Sequence, residues 1–364
     1  MSLFEECFQG LEDPRWANAV RHDLLEMVMM ALCAMLCGAE SCVDIEDFSR
    51  AKEPLLRQFL RLEHGIPSHD TFSRLFRALD PLAFQDAFAV FMARFAEAGA
   101  GVVAVDGKTA RRSFDRAAGQ SALHTISAWA CEQRLVLGLR TVPADGNEIT
   151  ALPALLAVLE LKGRIVTADA MHCQRATAQA IVERGGDYVL ALKANQPALL
   201  DDVRLYLEDP QAPPDDRGQT VEGDHGRIET RVCEVLHDVA FLDELHGWPG
   251  LKAIGRITAT RESAGKTARQ TRYFLLSRPL SAARLAEVAR VHWTIENQLH
   301  WPLDVHLDED GNRTRKDHGP ENLALMRRFA LNLLRANRDK LSVRRKIKQA
   351  GWNDAFLLKI LTQA

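Results

Sequence analysis

Hydrophobic positions change their period twice along this chain. Up to about residue 95 they recur at helical spacing. His22 to Leu36 carries such a repeat, and its apolar stretch Leu24 to Cys37, interrupted by Glu26, predicts a buried helix too short to span a bilayer. Asp44 to Leu62 repeats the pattern with charges interleaved, and Pro54 splits it. Gly65 and Pro67 then break the chain. Ser68 is a plausible N-cap for an amphipathic helix to about Leu79, and Pro81 starts another, Leu82 to Glu97. The small residues Ala98 to Gly101 form a boundary.

From Val102 the period shifts toward strands. Val102–Asp106, Leu123–Ala130 and Leu135–Val142 read as three strands, the last two joined at hairpin length. Glu148–Leu161 reads as an amphipathic helix in which Pro153 is tolerable only in the first turn. Strand Arg164–Ala168, helix Gln174–Arg184, strand Asp187–Leu192 and helix Gln196–Tyr206 follow. A meander of strands succeeded by alternating helices and strands predicts an α/β fold: a mixed five-stranded sheet with flanking helices, similar to the ribonuclease-H-like arrangement. In that arrangement the first and fourth strands are neighbours, so Asp106 and Asp169, at their ends, would meet at one edge of the sheet.

The second shift comes near residue 208. Asp209-Pro210, Pro213 to Asp216 and Gly223 to Gly226 are loop-like, and Arg227–Val235, Leu251–Ser263 and Thr271–Ser277 are β-rich. This predicts a β-strand insertion over 208–280, with Arg227, Arg231, Arg256 and Arg261 on its exposed face. Helical spacing returns at Ser281 and runs through Leu285, Val288, Val291, Ile295 and Leu299. Within it His292, Glu296 and His300 are four residues apart and would share a helical face. A further helix covers Pro320–Leu334. The domain division that follows is a helical region 1–98, a core in two parts, 99–207 and 281–340, separated by the insertion 208–280, and a basic helical tail 341–364.

Composition narrows the class. The chain has 364 residues, 47% hydrophobic and 26% charged, as expected of a soluble globular protein. Its seven cysteines lack metal spacing and suit reduced buried thiols in a cytoplasmic protein. Nothing resembles a signal or membrane segment. The net charge of −3 excludes a uniformly basic coat but not a local basic face. Arg327 to Lys348 is such a run, either a solvated face or a phosphate-binding one.

The candidate chemistry begins at Asp106. Four apolar residues, Val102 to Val105, suggest a strand covered on both faces, and a carboxylate at its end lies at a sheet rim. There it is either a metal ligand or general base, or a surface residue opening a turn with Gly107. Helix, Gly-containing turn, helix around Gly65 is the outline of a helix-turn-helix with Ser68, His69, Thr71 and Arg74 free to meet DNA. Many helix pairs of that outline simply pack together.

The ordered blocks IPSHDTFSR, VVAVDGKTARRS, HTISAWA, GNEITALPALL, TADAMHCQ, GGDYVLALKANQP, HGRIETR, HWTIENQLHWPLDV and EDGNRTR resemble the ISAs-type, H-repeat-associated group of bacterial insertion-sequence transposases, part of the DDE class. The resemblance covers roughly residues 5 to 340. It implies an enzyme that cuts at the ends of an insertion sequence and joins 3′-hydroxyl ends to target DNA by two-metal-ion phosphoryl transfer. A nuclease that cuts without joining, or an inactive DNA-binding derivative, is the alternative. It implies catalytic and metal-binding roles for Asp106, Asp169 and Glu296, with two Mg²⁺ ions for which Mn²⁺ could substitute. In the family's Y-R-E-K pattern around the glutamate this chain has Ala289, His292 and Leu303, with His292 in the arginine's place. The implied partners are double-stranded DNA, as terminal inverted repeats and target, and a second copy in a synaptic homodimer, with no membrane. Lys108, Arg111, Lys193, Asn195, Gln196, Asn297, His300, Arg313 and Arg315, together with His292, are further candidate DNA contacts. Lys108 and Lys193 could equally form structural ion pairs.

Overall fold

The helical spacing before residue 95 forms α1 (Ser2–Phe8), α2 (Leu24–Leu36), α3 (Cys42–Ala51), α4 (Glu53–Leu56), α5 (His69–Ala78) and α6 (Pro81–Phe95). The structure, a computed structural model, describes residues 2–15, 20–96, 99–144, 146–209, 213–224, 227–263 and 266–362. Ala98 of the expected boundary and Glu97 at the expected helix end lie outside them, as do Pro210, His225 and Gly226. Helix α2 is buried on nearly every side. Asp23 caps it by accepting from the Glu26 N–H. Pro54 divides α3 from α4, sitting in the first turn of α4 where its missing N–H costs nothing.

The sheet contains β1 (Val102–Thr109), β2 (His124–Ala130), β3 (Leu135–Thr141), β4 (Ile165–Ala168), β5 (Asp187–Leu192), β6 (Asp216–Asp224), β7 (Arg227–Leu236), β8 (Ala253–Ser263) and β9 (Lys266–Leu276). Their spatial order is β3-β2-β1-β4-β5-β9-β8-β7-β6. Strands β1, β4 and β5 are mutually parallel and the other pairings are antiparallel. Every residue of β4 is buried, as suits a parallel strand covered on both faces.

Among the described residues one sheet thus has nine strands, where a five-stranded sheet and a β-rich insertion were expected. The insertion does not form a separate layer: β9 pairs with β5, so β5 is no longer an edge. Strand β6 takes in Asp216, Gly223 and Asp224, which are expected to be loop-like, because its polar, Gly-containing sequence displays no strand pattern. It is the outer edge, and its apolar Val221 is exposed.

Helices α7 (Glu148–Leu156), α8 (Arg175–Glu183), α9 (Pro197–Glu208), α10 (Ala240–His246) and α11 (Ala282–His292) follow the strands in sequence. Helix α7 is shorter than expected and holds Pro153 in its second turn, not its first. After α11 comes a π-helical turn, Glu296–His300, and then α12 (Trp301–Leu307), α13 (Gly319–Ala336), α14 (Val343–Trp352) and α15 (Asp354–Leu361). Helix α13 is the hub. It packs on α2, α5 and α6 and also on β3, which makes the helical region and the sheet share one apolar core. No helix among the described residues is long and apolar enough to cross a membrane.

Helix α11 lies against the sheet where Gly255 of β8 leaves room: a Cβ there would collide with Leu285. Gly255→Ala is therefore expected to lower the unfolding free energy by about 1–3 kcal/mol, the usual cost of overpacking. Urea denaturation measures it, and an unchanged midpoint would show that α11 is not seated as described.

Candidate active site

The parallel register of β1 and β4 ends at Val105 opposite Ala168. The next residues are Asp106 and Asp169, so the two carboxylates stand abreast where the strands part. The antiparallel register with β2 continues, Asp106 facing Ser127, as far as Thr109. Asp106 is therefore not at a strand end, as expected, but inside β1. It is at a rim only on the β4 side. Asp169 starts a 3-10 turn, Ala170–His172.

The two acids differ electrically. Burial pushes the Asp106 carboxyl up to about 6. The Gly107 N–H, which Asp106 Oδ1 accepts at 2.9 Å, and His292 hold it back, while Asp169 and Glu148 push it further up. Asp169 is half-exposed, and its carboxyl lies below the usual range, chiefly because His292 is beside it.

His292 and His300 each stand by one of the acids. His292 Nε2 is 3.7 Å from Asp169 Oδ1, and its Nδ1 is 3.0 Å from Thr167 Oγ1 on β4. His300 Nδ1 is 3.6 Å from Asp106 Oδ2. Burial first, and then the charges of Arg328 and Lys108, lower the His300 pKa to about 4, so it is neutral at pH 7. Its buried Nε2 has no hydrogen-bond partner.

Glu296 lies on the π-helical turn between these histidines and is exposed. The expected single face of His292, Glu296 and His300 is interrupted there, because the α-helix stops at His292 and the turn inserts i→i+5 bonding, Trp301 N–H to Glu296 O. Among the described residues no three His, Cys, Asp or Glu side chains converge as a metal site. The structure thus gathers two of the three expected carboxylates. The donor chemistry of that pair fits a hard divalent cation: two oxygen ligands side by side, one of them holding its proton unusually well because it is buried, with the Asp169 charge adding to the effect.

Most of the expected DNA contacts have internal tasks. Lys108 is buried, its Nζ 2.6 Å from Asp304 Oδ1, 3.4 Å from Asp310 Oδ1 and 3.8 Å from Glu309 Oε2. Of the two readings left open for it, the geometry is that of the ion pair. Arg111 reaches Asp310 at 3.2 Å and is otherwise exposed. Asn195 donates to the Ala170 carbonyl at 2.8 Å and Gln196 to that of Cys173 at 3.1 Å, so both brace the loop after Asp169. Arg315 stacks on Phe114 and donates to the Arg112 carbonyl. Ser68 caps α5 with Thr71 beside its hydroxyl, and His69 Nδ1 is 2.9 Å from Glu46 Oε2 of α3. Lys193, Asn297, Arg313 and Arg74 are exposed, and Lys193 helps hold the Asp169 carboxyl down.

The basic run is likewise not one face. Arg327 and Arg328 are buried, Lys346 donates to the Leu334 and Asn337 carbonyls at the end of α13, and Arg335 stacks on Trp129. On the insertion Arg231 pairs with Glu222 and Glu229, Arg256 with Glu234, and Arg261 with Glu229. The side chain of Arg227 is outside the described set. All seven cysteines are free. Cys33, Cys131, Cys173 and Cys233 are buried, while Cys7, Cys37 and Cys42 are half-buried.

One group beside the acids escaped sequence reasoning. Glu148, the first residue of α7, accepts from His124 Nε2 at 2.7 Å and from His172 Nε2 at 3.0 Å. These two bonds, His124 first, hold its carboxyl down at about 2. All three residues sit in the blocks that carried the resemblance, but no spacing links them.

Residues 97–333 match the family model of the transposase DDE domain, and residues 5–92 match the model described as DDE_Tnp_1-associated. A protein of Xanthobacter autotrophicus, described as lying in the dhlA 3′ region, is 45% identical over 275 residues, which cover 74% of this chain and 92% of that protein. The "H repeat-associated putative transposase YhhI" of Escherichia coli K12 is 34% identical over 362 residues, 96% of this chain and 95% of its own. A solved structure, the piggyBac transposase synaptic complex with hairpin DNA, superposes with a TM-score of 0.44 at 10% identity, covering 99% of this chain and 77% of that one.

Proposed function

Since the chain belongs to the DDE transposase family, we propose that it cuts DNA at the ends of an insertion sequence and joins the 3′-hydroxyl ends to target DNA. The observation that carries this reading is the placement of Asp106 and Asp169 abreast, where β1 and β4 part. The order β3-β2-β1-β4-β5, with β1 antiparallel to β2 and parallel to β4, supports a ribonuclease-H-like core for residues 99–207 and 281–340. DDE transposase domains use divalent metal ions. Mg²⁺ suits this oxygen donor set, and Mn²⁺ would replace it. Asp106 and Asp169 would hold the ions, and Glu296 would join them from the π-helical turn. Bound there, the ions supply charge stabilisation at phosphorus and an activated attacking oxygen.

The chain's own residues fix the setting. His292 ties the Glu296-bearing segment to β4 through Thr167, and neutral His300 faces Asp106 without adding charge. The exposed Lys193, beside Asp169, is placed to meet a phosphate, and Arg74 and Arg313 are open cations that suit double-stranded DNA. Two ends must be held together, so a homodimer is the expected assembly.

The test is joining of a labelled duplex, carrying the inverted repeats that flank the coding sequence, to a plasmid in Mg²⁺. Joined product is expected. Cleavage without joining would make the protein a nuclease, and binding alone would make it an inactive derivative.

The burial of Lys108 gives a separate expectation. Lys108→Met should destabilise the fold, because Asp304, Glu309 and Asp310 lose their shared cation, yet leave the salt dependence of DNA binding unchanged. A phosphate contact would instead reduce the slope of log K against log salt by about 1.

A further inference from the structure

Glu148 touches both segments that carry the paired acids. On one side its carboxylate fills the space beside the Gly107 Cα, and a Cβ at Gly107 would collide with it. Gly107 is the residue whose N–H holds Asp106 Oδ1. On the other side Glu148 Oε2 accepts from His172, which closes the turn begun by Asp169: the His172 N–H donates to the Asp169 carbonyl at 2.9 Å. Its other oxygen accepts from His124 at the start of β2. His124 Nδ1 in turn is 2.7 Å from Thr109 Oγ1 at the end of β1. One carboxylate therefore ties together β1 beyond Asp106, the turn beyond Asp169 and the first residue of β2.

The hydrogen bonds assign the tautomers. Both histidines present Nε2–H to the carboxylate. His172 is fully buried and its Nδ1 has no partner, so a second N–H there would be left unsatisfied.

We propose that Glu148, clamped between His124 and His172, is a positioning residue that sets the spacing of Asp106 and Asp169, and that Gly107 is required to admit its carboxylate. This rests on the reading of those two acids as the metal-binding pair.

Substitution at the clamp separates positioning from mere stability. In Glu148→Gln the negative charge is lost, and the amide N–H meets an Nε2–H unless that ring moves its proton to Nδ1, so the clamp is weakened. His172→Gln keeps an N–H donor near the Nε2 position, whereas His172→Phe keeps only bulk. The readouts are Mn²⁺ affinity of the DNA-free protein by titration calorimetry, the thermal midpoint, and strand cleavage. Glu148→Gln, His172→Phe and Gly107→Ala are expected to weaken Mn²⁺ binding at least tenfold and slow cleavage similarly, while His172→Gln recovers to within threefold of wild type. Where a variant has a lowered midpoint, titration well below that midpoint keeps the comparison among folded protein. Wild-type Mn²⁺ affinity and cleavage in Glu148→Gln would overturn the proposal, as would equal defects in His172→Gln and His172→Phe. Asp106→Asn is run beside them. If it too binds Mn²⁺ and cleaves normally, the reading of the acid pair fails, and with it the proposal. If Asp106→Asn alone is defective, only the clamp fails.

Discussion

Asp106→Asn should abolish strand cleavage and, in metal-free buffer, make the protein more stable. Its carboxyl is raised to about 6 by burial, with the Asp169 and Glu148 charges adding to the shift. A carboxyl whose folded pKa exceeds its unfolded value disfavours the folded state once it ionises. That cost is full above about pH 6, shrinks as pH falls, and is absent below the unfolded value near 4. At about 1.4 kcal/mol per pKa unit the relief from Asn is on the order of 2–3 kcal/mol at pH 7.5. Thermal unfolding across pH 4 to 8 should show the variant's advantage closing toward pH 4. Added Mn²⁺ should reverse the ranking, since only wild type gains from binding. Cleavage should fall at least ~10³-fold, the equivalent of losing several kcal/mol of charge stabilisation. Wild-type cleavage in this variant would remove Asp106 from the site.

Breaking the ion pair under that strand should cost the most stability. Arg328 and Glu309 are 0% and 2% exposed and meet at 2.6 Å. Arg328 also donates to Ser127 Oγ and Thr125 Oγ1 of β2, each at 3.2 Å, so the pair joins α13 to the strand that faces Asp106. Burial opposes the Glu309 charge, and Arg328, then Lys108 and Arg327, outweigh it and hold the carboxyl below its usual range. Arg328→Met leaves that charge buried without its 2.6 Å partner, with Lys108 at 3.8 Å and Arg327 as the remaining cations. The expected loss is about 3–5 kcal/mol, read as a lowered urea midpoint. Arg328→Met with Glu309→Leu should recover much of it, because no unpaired charge remains. A loss under about 1 kcal/mol in the single variant, or none recovered in the double, would contradict this account of the core.

What could be read in advance follows from where each signal lives. The pairing of Asp106 with Asp169 was legible because it needs only strand order, and buried parallel strands announce themselves as apolar runs such as Val102–Val105 and Ile165–Ala168. Strand β6 was hidden because an edge strand with exposed side chains has no apolar alternation to display. The run from Arg327 to Lys348 misled because charge along a helix does not reveal its partners. Arg328 finds Glu309 nineteen positions earlier, and Lys346 finds carbonyls at the end of α13. The turn at Glu296–His300 escaped because i→i+5 bonding leaves no mark on periodicity. His292 and His300 each stand by one of the acids, and the π-helical turn between them interrupts the face they were expected to share with Glu296. Glu148 was invisible since its meaning comes from Gly107, His124 and His172, which only the fold brings together.

Asp106 and Asp169 are, in the proposed function, two of the three carboxylates of a metal-dependent strand-transfer site. Crystals grown with Mn²⁺ and measured near the manganese edge test it most directly. The account predicts an anomalous peak shared by the two aspartates, with Glu296 drawn toward it, that disappears in Asp106→Asn. A map with no peak between them, or one whose manganese lies on other residues and survives Asp106→Asn, would contradict it.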